Sequence, residues 1–219
     1  MSTLPVVIVP DHPLIADAIA TCRDKETGTV TFRTAVASLG RWLGYEACRD
    51  WLPTYKTSVE TPLGVSAPAT RVESERPVEI VPILRAGLAL VEGVLPLIPA
   101  AKILHVGYRR DEETARAICY LTGLPEQLPP GTRYLILEPM LATGGTLVQV
   151  LDAMTHSGAD ISLVRVISLI ASQKALETIG AKHPSVTIYC AAVDPELNEC
   201  AFIVPGLGDA GDRAFGTDQ

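Results

Sequence analysis

The run Tyr134-Leu135-Ile136-Leu137 is continuously apolar, stops at Glu138-Pro139, and passes through Met140-Leu141-Ala142-Thr143-Gly144-Gly145-Thr146 into Leu147. A short apolar run that ends on an acid and gives way first to small residues and then to a helical pattern reads as a buried strand feeding a helix through a tight loop. Leu147, Val148, Val150, Leu151 and Met154 share one face of that helix, and Gly158 stands where a C-terminal cap belongs. Several backbone N–H groups of such a loop gather in one concavity, where the positive end of the helix dipole adds to them, which makes a cradle for phosphate. Gly144 and Gly145 admit positive φ and close approach of a ligand, while the Thr143 and Thr146 hydroxyls can donate to phosphate oxygens or cap the helix. The nucleoside-triphosphate loop requires Lys directly after its last Gly, and the dinucleotide fingerprint requires a third Gly; Thr146, Leu147 and Val148 stand in those places.

The remaining pattern supplies a sheet for this loop to sit on. Apolar strands are predicted at Val78–Leu84, Lys102–Tyr108, Ile161–Ile170 and Val186–Val193, with helical runs after Arg85-Ala86-Gly87 and around Lys174–Ile179. Ala115–Leu121 reads as a short strand returning from the charged loop Arg109–Thr114. This alternation predicts an α/β fold, a central mostly parallel sheet with helices on both faces. Helical spacing runs from Asp11 to about Leu52, although Gly40 and Gly44 argue against an unbroken second helix. Residues 53–77 turn to Thr, Val and Pro and suggest a protruding β-arm suited to a subunit contact. The whole of 1–219 is expected to form one domain, with about 194–219 as a C-terminal hood. Ligands of such sheets bind beyond the carboxyl ends of the strands, so Arg85, Arg110 and Glu138 are expected on one rim.

Charge and cysteine content narrow the function classes. A formal charge of −7 argues against a general nucleic-acid binder. Five cysteines without Cys-x-x-Cys spacing imply reduced thiols rather than a disulfide framework or a metal cage. The apolar runs fall short of the ~20 residues of a membrane span, and the first residues lack the basic start of a secretory signal, so a cytoplasmic protein is expected.

Glu138-Pro139-Met140-Leu141-Ala142-Thr143-Gly144-Gly145-Thr146 resembles the diphosphate-sugar loop of type I phosphoribosyltransferases, and its Pro-Met-Leu-Ala-Thr-Gly-Gly core resembles that of the uracil phosphoribosyltransferase family. Ile83 to Leu88 and Arg110 to Thr114 match the family's Ile-Leu-Arg-Ala-Gly-Leu and Arg-x-Glu-Glu-Thr segments. The resemblance implies transfer of phosphoribose from phosphoribosyl diphosphate to uracil, giving uridine monophosphate and diphosphate in pyrimidine salvage. Phosphoribosyl diphosphate is expected on Arg85, Arg110, Glu138, Pro139, Met140, Leu141, Ala142, Thr143, Gly144, Gly145, Thr146 and Asp209. The 5′-phosphate belongs on the Ala142–Thr146 amides, the ribose hydroxyls on Glu138, and the diphosphate on Arg85 and Arg110, whose guanidinium groups supply bidentate donors.

The C-terminal run Ile203-Val204-Pro205-Gly206-Leu207-Gly208-Asp209-Ala210-Gly211-Asp212-Arg213 makes a rigid irregular loop with many free backbone groups, as reading the edge of a flat heterocycle requires. By resemblance it binds uracil through Ile203, Gly208, Asp209 and Ala210. Asp209, Arg85 and Arg110 are the expected catalytic residues, Mg²⁺ arrives on the diphosphate with its waters, and Asp212 pairs with Arg213 to hold the loop. No covalent nucleophile is required. The Arg109–Thr114 loop is a candidate lid, GTP a candidate effector, and a homodimer or larger homo-oligomer the expected assembly.

Three features depart from the family pattern. Glu138 stands where Asp is usual, Cys200-Ala201-Phe202 replaces a His-Gly-Tyr step, and Ala171-Ser172-Gln173-Lys174 replaces an Ala-Pro-Glu-Gly-like turn. Two rival readings use the same cradle, a pyrimidine-responsive regulator and a transferase for a different base. His105, His156 and His183 are too scattered for a metal site and receive no role.

Overall fold

The computed structural model describes residues 4–73, 78–110 and 117–217. In chain order the strands are β1 (Val6–Ile8), β2 (Thr54–Glu60), β3 (Ser66–Val72), β4 (Val78–Leu84), β5 (Lys102–Ile103), β6 (Val106–Arg110) and β7 (Ala117–Thr122). They continue with β8 (Arg133–Leu137), β9 (Met140–Leu141), β10 (Val164–Ser172), β11 (Thr187–Asp194), β12 (Glu196–Leu197) and β13 (Ile203–Val204). The α-helices are α1 (Pro13–Arg23), α2 (Thr29–Cys48), α3 (Leu88–Val94), α4 (Gly145–His156), α5 (Gln173–Lys182) and α6 (Ala210–Phe215).

The main sheet runs β1-β11-β10-β8-β4-β6-β7, with β5 beside β4 and β9 beside β10. Every pairing in it is parallel except β6 with β7, so the expected mostly parallel sheet is what the chain forms. The predicted strand Lys102–Tyr108 is two strands, because β5 pairs with the start of β4 and β6 with its end. The side-chain period of two sorts the sheet residues. Ile80, Leu135, Leu137 and Ile167 face the layer of α1, α2, α3 and α6, while Val81, Ile136, Val166 and Ile188 face α4 and α5. Both faces are therefore covered, as the apolar strands require.

Helix α2 is continuous through Gly40 and Gly44, contrary to the break the sequence suggested. Packing explains it: a Cβ on Gly40 would stand 3.0 Å from the Leu90 carbonyl oxygen, so the missing side chain lets α3 lie against α2. The predicted arm is a hairpin in which β2 and β3 pair only with each other, exposing Tyr55, Leu63, Val65 and Val72; residues 74–77 of the expected arm lie outside the described residues. Among the described residues no helix is long and apolar enough to cross a membrane.

Candidate active site

Strands β8, β4 and β6 are neighbours and parallel, so their carboxyl ends share one rim. Glu138 follows β8, Arg85 follows β4, and Arg110 is the last residue of β6. The Arg110 side chain and residues 111–116, on which most of the expected lid falls, lie outside what is described.

Beyond β8 the chain is pinned to β10. The Glu138 N–H donates to the Ile167 carbonyl at 3.0 Å, and the Pro139 carbonyl accepts from the N–H groups of Leu169 and Ile170. Met140 and Leu141 then pair with Ile170 and Ala171. The loop turns into α4 at Gly144, whose φ of +78° lies in the left-handed region. A Cβ there would stand 2.9 Å from the Ala175 carbonyl oxygen, so glycine is required by both conformation and space. Thr143 Oγ1 accepts from the Gly145 N–H at 3.4 Å, a local bond across the turn. The sequence reading missed Ser172. Buried at the end of β10, its hydroxyl donates to the Ala142 carbonyl at 2.5 Å and accepts from the Ala175 N–H at 2.9 Å, so one side chain caps α5 and fixes the cradle.

The Oε2 of Glu138, a half-buried residue, is shielded from solvent and has no hydrogen-bond partner among the described residues. Burial raises the carboxyl from its ordinary 4.5 to about 8, so it holds a proton at neutral pH. An acid left unpartnered inside a protein is costly, and polar groups of a ligand would relieve it.

The C-terminal segment lies over the same rim. After the antiparallel pair β12 and β13, the chain passes through Pro205–Asp209 into α6, with the Asp209 carboxylate capping it by accepting from the Asp212 N–H at 2.9 Å. The expected Asp212–Arg213 pair does not form. Asp212 instead accepts from the Arg85 guanidinium at 2.8 Å and from the Thr217 hydroxyl at 2.5 Å. The Thr217 hydroxyl first, and the Arg85 guanidinium second, hold the Asp212 carboxyl below the usual carboxylate range. Arg213 points the other way, stacking over Phe32 at 4.3 Å and donating to backbone carbonyls of Cys22, Asp24 and Leu207. Adjacent residues on a helix do not face each other, which is why the pair fails.

Arg85 thus joins the two halves of the candidate site. A Cβ on Gly211 would meet Asp209 Oδ1 at 3.1 Å and Arg85 Nη2 at 3.7 Å. Ile203, Gly208, Asp209 and Ala210 all belong to this segment, and Gly206–Asp209 with Asp212 form one wall of a cavity of about 590 Å³ whose other wall includes Arg23, Lys25 and Thr29. Arg23 and Arg33 also went unnoticed in the sequence: Arg33 donates through Nε and Nη2 to the Ala214 carbonyl, fastening α6 to α2.

Comparison with known proteins agrees with this geometry. A sequence model described as "Uracil phosphoribosyltransferase" matches residues 9–217. A protein named uracil phosphoribosyltransferase from Synechococcus elongatus is 52% identical over 211 residues, spanning 96% of this chain and 97% of the relative. Among solved structures, the AQ2163 protein of Aquifex aeolicus superposes with a TM-score of 0.85 at 37% identity, covering 97% of this chain and 99% of that one. The APRTase of Giardia lamblia, at 15% identity and a TM-score of 0.52, covers 83% of this chain and 85% of its own, and shares the fold. With a family match over nearly its full length and relatives at this identity, the chain belongs to the uracil phosphoribosyltransferase family.

Proposed function

We propose that this chain joins uracil to the phosphoribosyl group of phosphoribosyl diphosphate, with the cradle Ala142–Thr146 on the 5′-phosphate, Glu138 on the ribose hydroxyls and Arg85 on the diphosphate. The observation that carries this reading is the solvent-shielded Oε2 of Glu138, unpartnered among the described residues, beside a glycine-built helix N-terminus. Two ribose hydroxyls supply the donors that Glu138 lacks, and the phosphate satisfies the loop amides. Arg110, at the end of the neighbouring strand, is assigned to the diphosphate by its position in the family motif.

Uracil lies against the backbone of Ile203, Gly208 and Ala210. The N1–C1 bond forms as the bond from C1 to the diphosphate oxygen breaks and the N1 proton passes to the departing diphosphate, with positive charge developing on the sugar. Arg85 and Arg110 stabilise the departing diphosphate, and the cradle and base loop orient the two reactants. Asp209 and Asp212, the carboxylates beside Arg85, already accept hydrogen bonds from the α6 backbone and from Arg85 and Thr217, a donor set that suits the waters of a diphosphate-borne Mg²⁺ rather than a direct cage. When bound, Mg²⁺ supplies neutralisation of the leaving group's charge.

The exposed β2–β3 hairpin is assigned to a subunit contact, supported by its having no other strand partner among the described residues. A steady-state assay with uracil, cytosine, orotate and hypoxanthine tests the main reading. Uridine monophosphate from uracil alone is expected. Turnover of another base would reassign the substrate, and turnover of none would leave a ligand sensor.

A further inference from the structure

One ion pair in this molecule holds a single loop glycine by both of its backbone groups. Arg23, at the end of α1, donates through Nη1 to Asp194 Oδ2 at 2.8 Å and through Nη2 to Asp194 Oδ1 at 2.6 Å. The same Nη1 donates to the Gly206 carbonyl at 2.8 Å, and the Gly206 N–H donates back to Asp194 Oδ2 at 3.0 Å. Arginine, carboxylate and glycine thereby close a ring. Asp194 is the last residue of β11, in register with Ser172, so the ring is anchored to the rigid end of the sheet. Its carboxylate is only 5% exposed and Arg23 is 25% exposed.

Gly206 cannot drift within this ring. Its φ is +64°, and a Cβ on it would stand 2.0 Å from the Ile203 carbonyl oxygen. The neighbouring Leu207 carbonyl is taken by Arg213 at 2.8 Å. Two successive carbonyls of the loop therefore face arginines on the α1 side, which constrains the backbone before and after them. Gly208 follows directly, and Ile203, three residues before Gly206, packs its carbonyl against that glycine; both are assigned above to the base.

We propose that Arg23 and Asp194 are positioning residues for base recognition, setting the register of the Ile203–Ala210 backbone on which uracil affinity and selectivity depend, without touching the base. The proposal rests on the assignment of that loop to uracil. A partly buried ion pair is weak support for overall stability, whereas a forked guanidinium on a carboxylate gives strict geometry. A lysine at position 23 would keep the charge but could not grip the carboxylate and the Gly206 carbonyl from one planar group.

The test compares the parent with Arg23→Ala, Arg23→Lys and Asp194→Asn, and uses Arg49→Ala, which removes the exposed Arg49–Glu46 pair, as a control for losing any ion pair. KM for uracil, KM for phosphoribosyl diphosphate, kcat, the uracil-to-cytosine preference and Tm are measured for each. The expected result is a rise of about tenfold or more in the uracil KM of Arg23→Ala and Asp194→Asn with weakened preference over cytosine, while the diphosphate-sugar KM stays within about twofold. Arg23→Lys should resemble Arg23→Ala more than the parent. Should Arg23→Ala fail to fold, Arg23→Lys and Asp194→Asn carry the comparison. A lowered Tm with uracil KM and base preference unchanged overturns the proposal, as does an equal rise in both KM values. A parent that does not use uracil overturns the function reading and this proposal with it, whereas an active parent with unaffected variants overturns only this one.

Discussion

The phosphate cradle and the C-terminal loop are both glycine-bearing backbone pockets, yet they are held in opposite ways. The cradle, Glu138–Thr146, is continuous in sequence and clamped between β10 and the start of α5 by backbone bonds and one serine. The loop from Pro205 onward is fastened to partners distant in the chain: Gly206 to Arg23 and Asp194, Ala214 to Arg33, and its own Arg213 to the carbonyls of Cys22 and Asp24. A site assembled from neighbours in sequence tolerates little change in its own residues, and one assembled from afar is vulnerable at places that touch no substrate.

The largest effect expected to expose this contrast is Gly144→Ala. A side chain at φ +78°, with the Ala175 carbonyl oxygen 2.9 Å away, should lower kcat/KM for phosphoribosyl diphosphate by about 100-fold while leaving the fold intact, as steady-state kinetics and circular dichroism would record. If the sugar-phosphate constants hold while uracil binding falls, the division between the pockets is wrong. Next comes Arg213→Ala, which strips four backbone carbonyls, those of Cys22, Asp24, Thr27 and Leu207, of a donor and uncovers Phe32. It should cost about 3 kcal/mol in urea unfolding and raise the uracil KM more than the diphosphate-sugar KM.

The third test uses pH. Glu138 binds its proton more tightly folded, at about 8, than at the ordinary 4.5. Its favourable contribution is complete below 4.5 and is lost as pH rises to about 8, a decline of up to about 1.4 kcal/mol per pH unit. Glu138→Gln should flatten the stability profile of the unliganded protein across that window and remove the rise in phosphoribosyl diphosphate affinity expected as the carboxyl ionises. An unchanged profile would show that the acid is solvated. The smallest effect is Arg33→Lys, which loses the paired donors to Ala214 and should lower Tm by about 2–4 °C with kinetics nearly unaltered.

What the sequence made legible follows the same division. The cradle could be read because strand, acid, glycines and helix stand in one continuous run, and the sheet because β-strand and helix periodicities alternate cleanly. The irregular course of the C-terminal loop was legible from Pro205, Gly206 and Gly208, but its fastenings were not. Arg23 and Asp194 are 171 residues apart, and no local pattern links them. Adjacency misled at Asp212 and Arg213, whose side chains leave α6 in different directions. Ser172 stood in plain view as an unfamiliar turn, and only the fold reveals that it reaches the Ala142 carbonyl.

The Thr217 hydroxyl completes the grip on Arg85, directly at 3.3 Å and through Asp212. Thr217→Val would therefore leave Arg85 held by Asp212 alone among the described residues, so a side chain far outside the cradle sets how firmly the cation assigned to the leaving group is kept in place.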